Sequence, residues 1–134
     1  MTGFRLYKKE KLCSTVAIEQ LFGRVGGGMS AVDYPLRAVW RKNDRRHSDA
    51  PIVFMITVPK KKLRHAVDRV KMRRRIREAY RLSRNSYPLS EGVKIDVAFV
   101  YLAPTLMSYA AVARAMESLL GKIQRQTAPE QTTV

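Results

Sequence analysis

The sequence predicts an α+β fold: a single small domain in which a mixed sheet of about four strands packs with three helices. Three stretches carry that expectation. Val93 to Leu102 (VKIDVAFVYL) alternates with the period of a strand, placing Val93, Ile95, Val97, Phe99 and Tyr101 on one face. Pro51 to Val58 (PIVFMITV) is apolar throughout, the pattern of a central strand covered on both faces. Between them Met72, Ile76, Ala79, Tyr80 and Ser83 recur as one helical stripe. Strand, helix and strand in that order imply a crossover that sets the two strands parallel. At 134 residues the chain has one domain's worth of core, expected to span residues 1–126, followed by a polar, disordered tail over 127–134.

Taken in order, residues 1–13 are basic and read as extended. Ser14 or Thr15 can cap a short helix in which Ile18, Leu21 and Phe22 recur at i, i+3 and i+4, with Gly23 placed to end it. Gly26, Gly27 and Gly28 read as a loop, because a phosphate-cradling turn would need a G-K-[ST] sequence after a strand. Tyr34 to Lys42 (YPLRAVWRK) alternates again, with Leu36, Ala38 and Trp40 on one face and Arg37, Val39 and Arg41 on the other. That second face suits either plain solvent or a single-stranded nucleic-acid backbone. Residues 43–51 form a polar loop, expected to join hairpin strands; its Asp44, His47 and Asp49 are too isolated to make a metal site. Tyr87 to Gly92 reads as a turn. Thr105 or Ser108 starts a last helix that buries Val112, Met116, Leu119, Leu120 and Ile123.

Several function classes recede on composition. No apolar run reaches the roughly 18 residues of a membrane span, and the N-terminal residues lack the apolar segment of a signal peptide, so the expected location is the cytoplasm. Cys13 is the single cysteine and has no internal disulfide partner; with no histidine in a paired motif it reads as a core or boundary residue rather than a nucleophile. The two histidines, His47 and His65, and the eleven acids lack the spacing of acid–base or metal-assisted phosphoryl chemistry.

Lys60 to Arg84 (KKKLRHAVDRVKMRRRIREAYRLSR) holds 12 of the 26 Lys and Arg residues and only two acids, Asp68 and Glu78. About two thirds of the net charge of +15 is concentrated there. Opposite the apolar stripe, Arg73, Arg77 and Arg84 stack with Arg74 and Arg81, and like charges one turn apart repel. Such a ridge suits a long polyanion, and the preference for Arg over Lys suits bidentate phosphate recognition. A solvated face, an anionic membrane or a protein partner would accept the same charge pattern, although the apolar side is short of the large residues that a membrane surface takes up.

Ala66 to Arg81 (AVDRVKMRRRIREAYR) resembles the signature of the protein subunit of bacterial ribonuclease P, A-x-x-R-N-R-x-K-R-x-x-R-E-x-[FY]-R. Ala66, Arg69, Arg74, Arg77, Glu78, Tyr80 and Arg81 match it, and Arg73 stands for its Lys. Val70 and Lys71 depart, replacing its Asn and second Arg. Thr57 to Lys62 (TVPKKK) is similar to the S-V-S-K-K that precedes the family's helix. The resemblance implies a left-handed crossover, against the right-handed form found in about 98% of cases.

It also implies a catalytic RNA partner, which uses bound magnesium to hydrolyse a phosphodiester in precursor tRNA and leaves a 5′-phosphate. The protein itself would then bind no cofactor and no small-molecule substrate. Lys60, Lys61, Lys62, Arg69, Lys71, Arg73, Arg74, Arg77 and Arg81 are the implied RNA-binding residues. Phe22, Arg37, Val39, Arg41 and Tyr109 would line a cleft for the single-stranded 5′ leader, although Phe22 suits plain core equally and Tyr109 a half-buried cap. A structural RNA-binding protein of ribosomal type is the alternative reading. A self-sufficient nuclease is a third, and the scattered acids argue against it.

Overall fold

A computed structural model of the chain describes residues 29–42, 52–89 and 93–127. The expected helix near Ser14 to Gly23 with Phe22, the loop carrying Asp44, His47 and Asp49, and the tail from residue 128 lie outside the described residues. Four strands form one sheet: β1 (Met29–Asp33), β2 (Leu36–Lys42), β3 (Ile52–Thr57) and β4 (Ile95–Tyr101). Two helices accompany it among the described residues, α1 (Ala66–Ser83) and α2 (Tyr109–Thr127), with a short 3-10 turn over Arg84–Ser86.

The spatial order is β1-β2-β4-β3. β1 and β2 form an antiparallel hairpin through Tyr34 and Pro35, β2 and β4 are antiparallel, and β3 and β4 are parallel across α1 as the crossover predicts. Two expectations are corrected here. β2 and β3 do not pair with each other, because β4 lies between them; and β3, expected in the centre, is at the edge of the described sheet. The central strand is β4, six of whose seven residues are buried. β2 and β3 flank both of its edges, whereas β3 grows more exposed from Met55 onward. β1 was not foreseen, since Met29 to Asp33 (MSAVD) is short and largely exposed.

The core lies on one face of the sheet. Leu36, Ala38 and Trp40 of β2, Ile52 and Phe54 of β3, and Ile95, Val97, Phe99 and Tyr101 of β4 meet the buried stripes of the two helices. α1 contributes Met72, Ile76, Ala79 and Tyr80, and Ser83 is buried at its end. The Tyr80 ring lies 4.4 Å, centroid to centroid, from Phe54 and 5.7 Å from Phe99, spanning the parallel pair. α2 buries Val112, Met116, Leu119, Leu120 and Ile123, as its periodicity requires. Of the two candidate caps it uses Ser108, whose Oγ accepts the Ala111 N–H at 3.2 Å. Thr127, assigned to the tail, instead ends α2 buried, its hydroxyl donating to the Ile123 carbonyl at 2.7 Å.

The segment between β4 and α2 is tied down from three directions. The Tyr101 hydroxyl donates to the Thr105 carbonyl and accepts the Met107 N–H at 3.1 Å. The Leu102 N–H donates to the Pro35 carbonyl at 2.8 Å. Arg75 of α1 donates to the Met107 carbonyl at 2.6 Å.

Beside the same hairpin turn Asp33, the last residue of β1, accepts a hydrogen bond from the Ser118 hydroxyl at 2.8 Å and pairs with Lys122 at 2.8 Å, joining β1 to α2. Burial raises the Asp33 pKa, but hydrogen bonds from Lys122 and Ser118 and the Lys122 charge outweigh it, and the carboxyl is held below its ordinary value. A depressed carboxylate stabilises the fold fully above the ordinary range near pH 4 and loses that contribution as pH falls through the lowered value. Asp33→Asn should therefore remove part of the acid sensitivity. Denaturant melts from pH 7 to pH 3 should show the wild type losing its advantage, of about 1 kcal/mol or less for a partly exposed pair, on acidification.

Candidate nucleic-acid interface

Burying Met72, Ile76, Ala79 and Tyr80 leaves the opposite side of α1 to face outward, and that side carries the charge. Lys71, Arg73, Arg74 and Arg77 are exposed, as are Lys60, Lys61 and Lys62 in the loop that leads to the helix. Asp68 in the first turn and Arg81 in the last complement the helix dipole.

Not every cation of the run faces solvent. Arg69 folds back, its Nη1 donating to the carbonyls of Leu63 and Arg64, both at 2.9 Å. It thereby closes the start of a helix whose flanking His65 makes no side-chain cap. Arg75, next to the buried stripe, points to Met107. Arg81 grips Glu78 with Nε at 3.0 Å from Oε2 and with a second, shorter contact from Nη2 to Oε1. The Arg81 hydrogen bond holds the Glu78 carboxyl below its usual value, and the same bond pushes the Arg81 pKa up. The charge run alone does not distinguish these roles. The one available signal was position, since Arg75 immediately precedes the buried Ile76.

The strand face forms a second, separate surface. Arg37, Val39 and Arg41 point away from the helices, on the opposite side from Leu36, Ala38 and Trp40. Val39 is buried against Ala98, with Met55 packed beside them, so the two arginines flank an apolar floor. Arg37 is exposed, while Arg41 is half-buried and stands in register with the buried Asp96. Sequence reasoning missed Asp96, which alternation places on the side of β4 away from the core.

Tyr109 does not join this group. It begins α2 on the helix side of the sheet, near Glu78 and Arg81; burial pushes its phenol up, and the Glu78 charge adds to the rise. Phe22, the remaining cleft residue, is outside the described residues. No group of three His, Cys, Asp or Glu side chains that could hold a metal ion occurs among the described residues.

A family model for ribonuclease P matches residues 6–124. The chain belongs to the ribonuclease P protein family. Ribonuclease P protein components from two strains of Porphyromonas gingivalis are each 34% identical to it over 123 residues, covering 90% of this chain and 87% of theirs. Solved ribonuclease P proteins share the fold. That of Staphylococcus aureus superposes with a TM-score of 0.67 at 18% identity, over 86% of this chain and 95% of its own. That of Thermotoga maritima gives 0.66 at 19% identity, over 84% and 96%. Membership makes this chain a ribonuclease P protein component, a subunit of an endoribonuclease holoenzyme with a role in tRNA processing.

Within this ribonuclease P protein Arg69 and Arg74 are both motif matches with different physical tasks. Arg69→Ala removes the donor of two backbone carbonyls, one part-buried and one exposed to water, and should destabilise the fold by about 0.5–1.5 kcal/mol. Arg74→Ala, on the exposed face, should stay within roughly 0.5 kcal/mol of wild type. Thermal or urea unfolding of the two variants side by side checks the distinction.

Proposed function

We propose that this subunit assists the catalytic RNA of ribonuclease P in removing the 5′ leader from precursor tRNA, with α1 bound to the RNA subunit and the outward face of β2 along the leader. The observation that carries this reading is the division of α1: its apolar stripe is consumed by the core, and Lys71, Arg73, Arg74 and Arg77 are left exposed on one rigid element. Phosphate contacts from that face, together with Lys60, Lys61 and Lys62, supply affinity that falls steeply with salt. Arg69 and Arg81, engaged within the protein, act by holding the helix start and the Glu78 side chain in place.

Arg37 and Arg41, on either side of Val39, suit an extended single strand, with charge for the backbone and an apolar floor for a base or sugar. Phe22 is assigned to the same cleft by the family resemblance. On this reading the magnesium that promotes phosphodiester hydrolysis is held by the RNA, and the holoenzyme works in the cytoplasm.

The test is cleavage of a precursor tRNA at low magnesium by the RNA subunit from the same organism, with and without this protein. Strong stimulation is expected, with the protein alone inactive; no stimulation would overturn the proposal. Arg77→Ala should weaken assembly whatever the leader length. Phe22→Ala should weaken binding only when a leader is present. Equal losses with leaderless tRNA would refute this division between the two surfaces.

A further inference from the structure

The outermost line of α1, directly opposite its buried stripe, reads Val67, Val70, Arg74, Arg77 and Arg81, the i, i+3, i+7, i+10, i+14 positions of one face. Its second half is cationic, but its first two turns are not. Val67 is 74% exposed and Val70 41% exposed, and neither belongs to the core. The one arginine at their level, Arg69, is turned back onto the Leu63 and Arg64 carbonyls. The face is thus apolar at one end and basic at the other.

Two β-branched residues at exposed helix positions gain nothing for the isolated helix, since they restrict side-chain rotamers and have lower helix propensity than Ala, Lys or Arg. Covering them with a partner releases water from both. The charge around them decides the partner. Lys71 lies beside them, and Arg74 and Arg77 continue the same line, so whatever covers the valines brings a dense row of negative charge within one to two turns. An acidic protein surface would meet the valines with apolar side chains. RNA meets them with sugar: A-form helices present a wide, shallow minor groove lined by ribose, with phosphate rows at its edges.

We infer that the first two turns of α1 rest on the ribose surface of the partner RNA through Val67 and Val70, while Arg74 and Arg77 take phosphates at the groove edge. This rests on the reading of α1 as the RNA-binding helix and adds the kind of RNA surface it touches. The contact supplies affinity without neutralising a phosphate. It therefore leaves the salt dependence of binding unchanged, whereas each phosphate-bound arginine contributes its own increment to that slope.

The double variant V67T/V70T keeps shape, β-branching and exposure, and thermal melting should confirm that it is folded. Binding of the full-length protein to the ribonuclease P RNA subunit of the same organism is then measured across a series of salt concentrations. The variant should bind roughly fivefold or more weakly at every salt concentration, with the wild-type slope. V67I/V70I should retain wild-type affinity. Arg74→Ala should instead lower the magnitude of the log–log slope by about 0.7 to 0.9. Wild-type affinity in the folded threonine variant would overturn the ribose contact, and so would a loss that scales with salt. Failure of the wild-type protein to bind the RNA in a salt-dependent way would overturn the reading of α1 itself.

Discussion

The position of the Tyr80 ring between Phe54 and Phe99 is the constraint on which the rest of the molecule depends. Aliphatic burial is non-directional and by itself specifies the rotation of a helix only weakly. An aromatic ring set across two adjacent parallel strands cannot roll without giving up one of its partners, and tilted aromatic pairs of this kind add to the energy of simple burial. Tyr80 thus fixes the rotation of α1 about its own axis. The Arg75 hydrogen bond to Met107 is a second anchor, on the flank toward the loop before α2. With both in place, the direction in which Arg74 and Arg77 point is a property of the core.

A run of cations on one helix also poses a problem of self-repulsion, and the protein meets it locally. Glu78 takes Arg81 through two contacts, and Arg69 and Arg75 direct their guanidinium groups to backbone carbonyls, where positive charge is welcome. These three arginines reinforce the helix start, the helix flank and the last turn. The ones that remain outward, Arg73, Arg74 and Arg77, are concentrated in the middle of the helix.

What the sequence made legible follows the range of the interaction involved. The stripe of α1 and five of the eight buried residues of α2 were readable because helical periodicity is local, and the buried residues of α1 are those that the spacing picked out. The alternation of β4 was readable for the same reason, and its core-facing residues Ile95, Val97, Phe99 and Tyr101 are all fully buried. Strand order was not. Sequential strands are usually neighbours, which favoured a β2–β3 hairpin, but β4 lies far along the chain and no local pattern reveals that it slots between them. Side-chain engagement was equally hidden: Arg69 and Arg74 are the same residue type in the same motif, and only the path of the chain before the helix brings the Leu63 and Arg64 carbonyls to one of them. Tyr109 was drawn toward the leader by the family resemblance, whereas the topology sets it on the side of the sheet where the helices pack.

The central place of β4 has a consequence for how the chain is made. Synthesis runs from the N-terminus, so the β1–β2 hairpin, β3 and α1 all leave the ribosome before the strand that both β2 and β3 require. Until Ile95 to Tyr101 emerge, β2 and β3 present open hydrogen-bonding edges, and Tyr80 has only Phe54 of its two aromatic neighbours. The basic helix cannot settle into its final orientation before then. Nascent chains of this protein are therefore exposed to edge-to-edge association until β4 arrives, and the RNA-facing side of α1 becomes a defined surface only once the sheet closes around its last strand.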